Sequence, residues 1–310
     1  MADLLSLPKK FYLKAITELV ILFIAWIQIC GQHQQQSFIS IWDDHESTND
    51  YYKDGAENHQ SNEGDWQTRK NISKKVYFEW MPIRNAANNT IYRKIAYGSL
   101  LDLIMLDTRL EGREKPPVNF DVADVPARTM LERTQYNWFI NQLDTSTAKW
   151  KVVSNQILFS DMNVGFGAVN ATGQLAITNI NAIRAVENLF VDNWESYPTE
   201  RNSILDSIQN KGIKNTLFIT GDSHASWSFD LTKRPVNYPN PATLYLPTPS
   251  PSYTPSTGAG SVGVEFATPS ISSANFDEAV DAAAAAQFEL VIKTLFLLVL
   301  LLEALHITHI

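Results

Sequence analysis

Four short apolar runs in the middle of the chain constrain its fold more than any other feature. They are "FISIW" (38–42), "SLLDLIMLD" (99–107), "WKVVSNQILFS" (150–160) and "NTLFITG" (215–221). A strand with one face in water alternates apolar and polar residues, and none of these runs does so. The runs therefore predict strands that are covered on both faces, as in an α/β fold with helices between the strands.

Two segments between or after these runs carry helical signals. In residues 125–144, apolar side chains recur at a spacing close to the helical period. In residues 196–215, Ser196 is a candidate N-cap and Pro198 falls in the first helical turn. Gly212 is a natural residue to follow the last turn, because glycine tolerates the left-handed conformation found there. Both segments predict helices.

Other segments predict loops or core positions. Residues 51–75 are polar and contain glycine, which predicts a long surface excursion. Residues 235–260 are rich in Pro, Ser, Thr and Gly, which predicts an irregular lid or surface loop. Large aromatic side chains are usually buried, so five tryptophans predict core positions: Trp42, Trp80, Trp138, Trp150 and Trp194.

The two ends of the chain differ from the middle, so we expect three segments: 1–36, 37–278 and 279–310. In the first, basic residues precede an apolar run, as in a signal peptide or membrane anchor. The last contains an Ala run and a Leu-rich stretch, which either contacts a membrane or forms an amphipathic or buried helix. A third interpretation is that both ends are mistranslated sequence.

Ionisable side chains follow three of the four apolar runs, at the point where each predicted strand ends. They are Asp43-Asp44-His45-Glu46, Asp107-Thr108-Arg109 and Gly221-Asp222-Ser223-His224. In open α/β sheets, ligands bind beyond the carboxyl ends of the strands, where these loops meet. Crowded carboxylates need a cation, and carboxylates with imidazole suit hard or borderline metal ions. Each motif alone is as readily a turn or a helix cap. Their joint placement predicts a metal site.

The charge balance limits the classes of partner. The formal net charge is −8 at neutral pH. A nucleic-acid-binding domain needs a basic surface, so this composition argues against one. An acidic chain instead fits a soluble protein, or one that gathers cations in an acidic cleft.

Several longer motifs, taken in order, closely resemble the alkaline phosphatase D (PhoD) family of the calcineurin-like metallophosphatase superfamily. They include "IWDDHESTNDYYKDGAENHQSNEGDW", "YFEWMPIR", "LIMLDTR", "WKVVSNQ" and "GIKNTLFITGDSHASWSFDL". The resemblance covers about residues 37–278. It implies a metallophosphatase-like α/β sandwich of mixed sheets flanked by helices, here incomplete at both ends. It also implies hydrolysis of phosphate mono- and diesters with Ca²⁺ and Fe³⁺, and a secreted, cell-surface or membrane-associated location.

The resemblance also implies roles for individual residues. It assigns metal ligation to Asp44, Asn49, Asn155, Asp222 and His224. His45 would face the scissile phosphate. Arg109 is the expected partner of the phosphate oxygens, since one guanidinium can bind two such oxygens at once.

The chain departs from the family pattern before residue 37. Family members carry there a Ser-Cys pair and a Gly-Asp-x-x-Tyr-Glu motif, which supply a thiolate, a bridging aspartate and a tyrosinate. Nothing similar precedes residue 37 in this sequence. A shared metal ligand would then be missing, so we expect reduced or no activity. The alternative is a catalytically inactive remnant, tethered to a membrane through one end.

Overall fold

The computed structural model describes residues 38–84, 90–117, 128–160, 191–232, 236–237, 248–249, 253–254 and 256–269. The predicted N-terminal segment, 1–36, and the predicted tail, 279–310, lie outside these residues. Membrane contact through either end therefore stays a prediction. Within the described part of the chain, no helix has the length and apolar character needed to cross a bilayer.

Twelve elements follow one another along the described residues. They are α1 (Trp66–Trp80), β1 (Arg93–Tyr97), β2 (Leu101–Met105), α2 (Glu132–Thr145), β3 (Trp150–Asn155), a 3₁₀ helix (Trp194–Ser196), α3 (Pro198–Asn210), β4 (Thr216–Thr220), β5 (Trp227–Asp230), β6 (Val236–Asn237), β7 (Thr248–Pro249) and β8 (Val264–Ala267). Six strands form one sheet in the order β1-β2-β3-β4-β8-β5, and β6 pairs with β7 separately. Strands β2, β3, β4 and β8 run parallel, with β1 and β5 antiparallel at the edges. The predicted α/β class is confirmed.

The chain divides into two compact units. The first comprises residues 1–40 and 78–84, and its described part is a short irregular stretch and the end of α1 with the turn that follows. Trp80 in this unit is largely exposed, so its predicted core position is wrong. The second unit comprises residues 41–77 and 85–310, and it contains the sheet, its core and the candidate site.

Three of the four predicted strands form the centre of the sheet as β2, β3 and β4. The exception is the run 38–42, which is irregular and pairs with no strand of the sheet. Its first two side chains, Phe38 and Ile39, are roughly two-fifths exposed. An apolar run forms a strand only where a neighbouring strand accepts its backbone hydrogen bonds, and this run has no such neighbour among the described residues.

Both predicted helices exist, with different starts. α2 begins at Glu132, and the preceding Met130 and Leu131 are buried as irregular chain. Pro198 lies in the first turn of α3, as expected, but the N-cap is Tyr197, and the Ser196 hydroxyl donates to the Val191 carbonyl instead. The prediction for the helix end is confirmed. Gly212 follows the C-cap with a φ of 64°, where glycine avoids the strain that a Cβ would cause.

Helix α1 contradicts the prediction that residues 51–75 form a loop. It begins where the Asp65 carboxylate accepts hydrogen bonds from the backbone N–H of Thr68 (2.8 Å) and from its hydroxyl (2.9 Å), which is the geometry of a helix N-cap. Within α1 the buried side chains are Trp66 and Tyr77. A helix that buries so few apolar residues has little helical periodicity in its sequence. The N-cap residue Asp65 was therefore the sequence signal that could have predicted this helix.

The core lies on one face of the sheet, beneath α2 and α3. Strand residues Ile104, Val153 and Phe218 occupy neighbouring register positions there. Each fully buried side chain of this size contributes about 1.5–3 kcal/mol from burial. The opposite face carries side chains that are about two-fifths to one-half exposed, including Trp150, Ile219 and Phe266. The sequence predicts that both faces of the sheet are covered, and among the described residues only one face is. The predicted core position of Trp150 is wrong.

A buried carboxylate fixes the chain that leads into α2. Glu200 accepts the backbone N–H of Met130 at 2.9 Å and that of Leu131 at 3.1 Å. Burial raises the pKa of Glu200 above its usual value of 4.5, although hydrogen bonds from Thr129, Met130 and Leu131 oppose that rise. Folding thus costs more when Glu200 is ionised than when it is protonated.

We expect the Glu200→Gln substitution to change stability by an amount that depends on pH. A carboxyl whose pKa is raised by folding favours the fold fully below its unfolded pKa, and this advantage is lost as pH rises through the folded pKa. Glutamine stays neutral throughout. The free energy of unfolding, wild type minus variant, should therefore fall in urea titrations as the pH rises from the usual glutamate pKa of 4.5 through the raised pKa of the folded state. A difference that stays constant would contradict this, and Glu132→Gln at an exposed site is the control.

Candidate metal centre

The polar motifs meet at one edge of the sheet, as the sequence predicts. Residues 107–109 follow β2, Gln156 follows β3, and Gly221 and Asp222 follow β4. Because β2, β3 and β4 are parallel, their carboxyl ends lie side by side. An open cavity of about 300 Å³ borders this edge, with a lining that includes Trp42, Asp43, Asn155, Gln156, Gly221 and Thr268.

Gln156 holds the loops of this edge together. Its side-chain oxygen accepts the backbone N–H of Thr108 at 3.1 Å and the Thr108 hydroxyl at 2.6 Å. Its side-chain nitrogen donates to the carbonyls of Trp42 (3.1 Å) and Leu106 (2.8 Å). The backbone N–H of Gly221 donates to the carbonyl of Gln156 at 3.2 Å. The loop after residue 42 is thus fixed over the strand ends by a side chain to which sequence reasoning gave no role.

Three carboxylates converge at this edge. Asp43, Asp44 and Asp222 each offer an oxygen, and these oxygens lie within 4.8 Å of one another. Asp44 is buried, and one of its oxygens accepts the backbone N–H of Asp50 at 3.1 Å. The Asp222 side chain is 25% exposed. These three residues, named here the carboxylate group, are compatible with metal binding, since oxygen donors suit hard cations.

The guanidinium of Arg109 contacts every member of the carboxylate group. Its Nε lies 2.7 Å from Asp43 Oδ1, and its Nη2 lies 3.0 Å from Asp222 Oδ2 and 3.9 Å from Asp44 Oδ1. Its Nη1 lies 2.6 Å from Oδ2 of a fourth carboxylate, Asp192. The Arg109 side chain is fully buried, so its charge has these carboxylates rather than water as its surroundings.

Asp192 connects Arg109 to a second buried guanidinium. Nη2 of Arg113 donates to the Asp192 carboxylate and, at 2.9 Å, to the Asp192 carbonyl. Nε of Arg113 donates to the Tyr197 hydroxyl at 3.2 Å. Asp192 does not belong to the carboxylate group. Its carboxylate contacts both guanidinium groups and so links Arg109 to Arg113.

The pKa shifts show that Arg109 does not fully offset the crowding of negative charge. Burial first, and then the neighbouring Asp43, raise the pKa of Asp222 to about 8, against the opposing effect of Arg109. Burial, with Asp44 and Asp192, also raises the pKa of Asp43. Burial would raise the pKa of Asp192 too, but Arg109 and Arg113 outweigh it and lower that pKa. The carboxylate group thus retains a demand for positive charge.

The two predicted histidines lie outside the carboxylate group. The His45 side chain is 77% exposed, and its Nε2 lies 3.8 Å from Asp44 Oδ2. His224 is exposed and has a φ of 51°, and Asp222 has a φ of 60°. Such left-handed conformations are strained for residues with a Cβ and often occur at functional sites. The assignments of His45 and His224 to the site stay predictions.

The two predicted asparagine ligands hydrogen-bond to protein groups. Nδ2 of Asn49 donates to the Glu57 carboxylate at 2.5 Å. The amide of Asn155 donates to the Ile157 carbonyl and accepts the Trp194 indole N–H at 3.1 Å. Their roles as ligands stay predictions. Of the predicted ligands, the structure brings Asp44 and Asp222 together and adds Asp43 to them, while Asp192 contacts Arg109 outside the carboxylate group.

The comparisons with known proteins agree on one family. Residues 28–295 match the family model of the PhoD-like phosphatases. Alkaline phosphatase D of Bacillus subtilis (strain 168) is 32% identical over 211 residues, which are 64% of this chain and 33% of that protein. A solved structure of PhoD is 29% identical and covers 75% of this chain and 40% of its own, with a TM-score of 0.54. The chain thus spans about a third of the length of this curated relative.

Proposed function

The chain belongs to the PhoD-like phosphatase family, and on that premise we propose that it hydrolyses phosphate mono- and diesters in a metal-dependent reaction. The observation that carries this proposal is the carboxylate group, whose three oxygens lie within 4.8 Å at the carboxyl ends of parallel strands. The substrate is a phosphate ester, and the cavity beside Asp43 is the place where it would bind.

We assign Ca²⁺ to the carboxylate group. Ca²⁺ prefers six to eight oxygen ligands, and carboxylates are its usual protein donors. The group contains neither a thiolate nor an imidazole, the softer donors that would favour a transition metal. Fe³⁺, the other ion that the family resemblance implies, is also a hard cation, so carboxylate oxygens suit it as well.

The residues of this chain divide the work of the reaction. A bound cation lowers the pKa of a coordinated water and neutralises charge on the phosphoryl group. Asp43, Asp44 and Asp222 would hold that cation. His45, exposed beside Asp44, donates a hydrogen bond to a phosphoryl oxygen, and Arg109 supplies positive charge to the equatorial oxygens.

Hydrolysis of a chromogenic phosphate monoester and diester by the purified full chain tests this proposal. We expect a chelator to abolish turnover and Ca²⁺ to restore it, whether or not Fe³⁺ is also added. Asp44→Asn should lower the rate at least about 100-fold, because it removes a ligand, whereas changes next to ligands cost about 10- to 100-fold. Asp54→Asn, at an exposed aspartate outside the group, is the matched control. Chelator-resistant turnover that survives Asp44→Asn would refute the proposal.

A second candidate is a catalytically inactive chain that retains cation binding. His45 and His224, which the family resemblance assigns to the site, lie outside the carboxylate group, and this arrangement favours it. Titration calorimetry separates the two candidates. Ca²⁺ binding without hydrolysis of either ester would support the inactive chain, and binding with turnover would support the enzyme.

We also propose a secreted or cell-surface location. It depends on segments 1–36 and 279–310, which lie outside the described residues. Fractionation of the full chain into medium, membrane and cytosol tests it, and recovery from the cytosol alone would contradict it.

A further inference from the structure

We propose that Arg109 is the internal counter-cation of the carboxylate group, and that cation binding transfers its guanidinium from Asp43 and Asp222 to Asp192 alone. Arg109 and the cation thus compete for the same carboxylates. This goes beyond the proposed function, because it concerns how the site is held together before a cation binds.

The contacts of Arg109 coincide with those that a cation would use. Nε and Nη2 of Arg109 lie 2.7 Å from Asp43 and 3.0 Å from Asp222, and both carboxylates belong to the carboxylate group. Ca²⁺ binds carboxylate oxygens at about 2.3–2.6 Å. A cation held by these carboxylates would therefore lie within a few ångströms of a buried guanidinium. Because bulk water does not screen them there, two positive charges at such a separation repel each other strongly.

The charge count explains why the cation can still bind. Four carboxylates, those of Asp43, Asp44, Asp192 and Asp222, surround Arg109, and Arg113 supplies the second guanidinium. In the cation-bound state, with all six groups ionised, four negative and two positive charges leave a net charge of −2 on these side chains. One divalent cation balances that charge. The guanidinium of Arg109 thus holds the carboxylate group together without neutralising its negative charge completely.

Asp192 gives Arg109 an anchor that the cation does not claim. It binds Nη1 of Arg109 at 2.6 Å, lies outside the carboxylate group, and is itself held by Arg113. When Nε and Nη2 leave Asp43 and Asp222, Nη1 therefore keeps its partner, and Arg109 stays at the site. The two released donors are then free for phosphoryl oxygens, a consequence that rests on the proposed function.

Titration calorimetry with Ca²⁺ tests the competition on the metal-free full chain. We expect Arg109→Met to bind Ca²⁺ about 10-fold more tightly than wild type, within the range of coupling between linked sites. Arg113→Met is the matched control. It also removes a buried guanidinium, but one that contacts Asp192 and Tyr197 rather than the carboxylate group, so its affinity should change less. Equal or weaker binding by Arg109→Met, or no binding by either protein, would overturn the proposal.

A measurement on the wild type covers the case in which Arg109→Met does not fold without Ca²⁺. In protein labelled with ¹⁵N-arginine, the Nε–H of Arg109 donates to Asp43 and is buried. Saturating Ca²⁺ should shift this NMR signal and speed its exchange with water, while the Arg113 signal keeps its protection. An unchanged Arg109 signal at saturation would overturn the proposal. Neither measurement records hydrolysis, so their failure is distinct from failure of the proposed function.

Discussion

Asp222→Asn is expected to lower Ca²⁺-dependent hydrolysis at least about 100-fold, because it removes a charged ligand of the proposed cation. The same substitution should leave the metal-free protein at least as stable as wild type. The loss of one carboxylate charge would then lower hydrolysis without lowering stability. Few positions outside a binding site behave in this way, since most substitutions of buried residues lower stability.

The stability part of this expectation follows from the surroundings of Asp222. Burial and the neighbouring carboxylates raise its pKa to about 8, so the fold disfavours its ionised form. Asparagine has nearly the same shape and stays neutral. It loses the charge on the bond from Arg109 Nη2, now 3.0 Å long, but it also removes the repulsion from Asp43.

Two measurements on the same protein preparation check this prediction. Ester hydrolysis with saturating Ca²⁺ gives the activity, and thermal unfolding in a chelator gives the stability. Asp54→Asn removes the same charge at an exposed position and should change neither quantity appreciably. If Asp222→Asn keeps wild-type turnover, or unfolds at a clearly lower temperature without metal, the role assigned to Asp222 is wrong.

The sequence predicts the centre of the sheet, because the relevant signals there are local, but it does not predict β1, β5 and β8. Three uninterrupted apolar runs become β2, β3 and β4, and their polar motifs meet at one edge, since parallel strands end on the same side. The run 38–42 is similarly apolar, but it has no neighbouring strand among the described residues. Whether an apolar run forms a strand depends on its partner, and composition does not contain that information.

The site is predicted in part, for a related reason. Asp44 and Asp222 stand in recognisable motifs, and the structure brings them together with Asp43. Asp192 stands in no motif, and its contacts with Arg109 and Arg113 join positions about 80 residues apart in sequence. The crowding of acidic side chains predicts a cation. The described chain already provides one in the guanidinium of Arg109, which sequence reasoning had assigned to the phosphate.

Gly112→Ala is expected to destabilise the protein by about 3 kcal/mol or more, near the upper end of overpacking effects. A Cβ at Gly112 would lie 2.4 Å from the backbone carbonyl of Leu131 and 2.7 Å from the backbone nitrogen of Glu132. These are main-chain atoms at the start of α2, so no side-chain rotation relieves the clash. Glu200 also holds the Leu131 backbone in place through a hydrogen bond of 3.1 Å.

The clash at Gly112 should also displace residues of the site, because Arg109 and Arg113 lie on either side of Gly112 in the same loop. Gly221→Ala is the matched control. Its Cβ would meet the Gln156 carbonyl at 3.7 Å, an ordinary contact, and neither glycine has a positive φ, so the two substitutions differ in steric space. Urea unfolding of both variants decides the matter. If Gly112→Ala unfolds at the same urea midpoint as Gly221→Ala, the loop does not approach α2 closely enough for a Cβ to clash. The inferred effect on Arg109 and Arg113 would then be wrong as well.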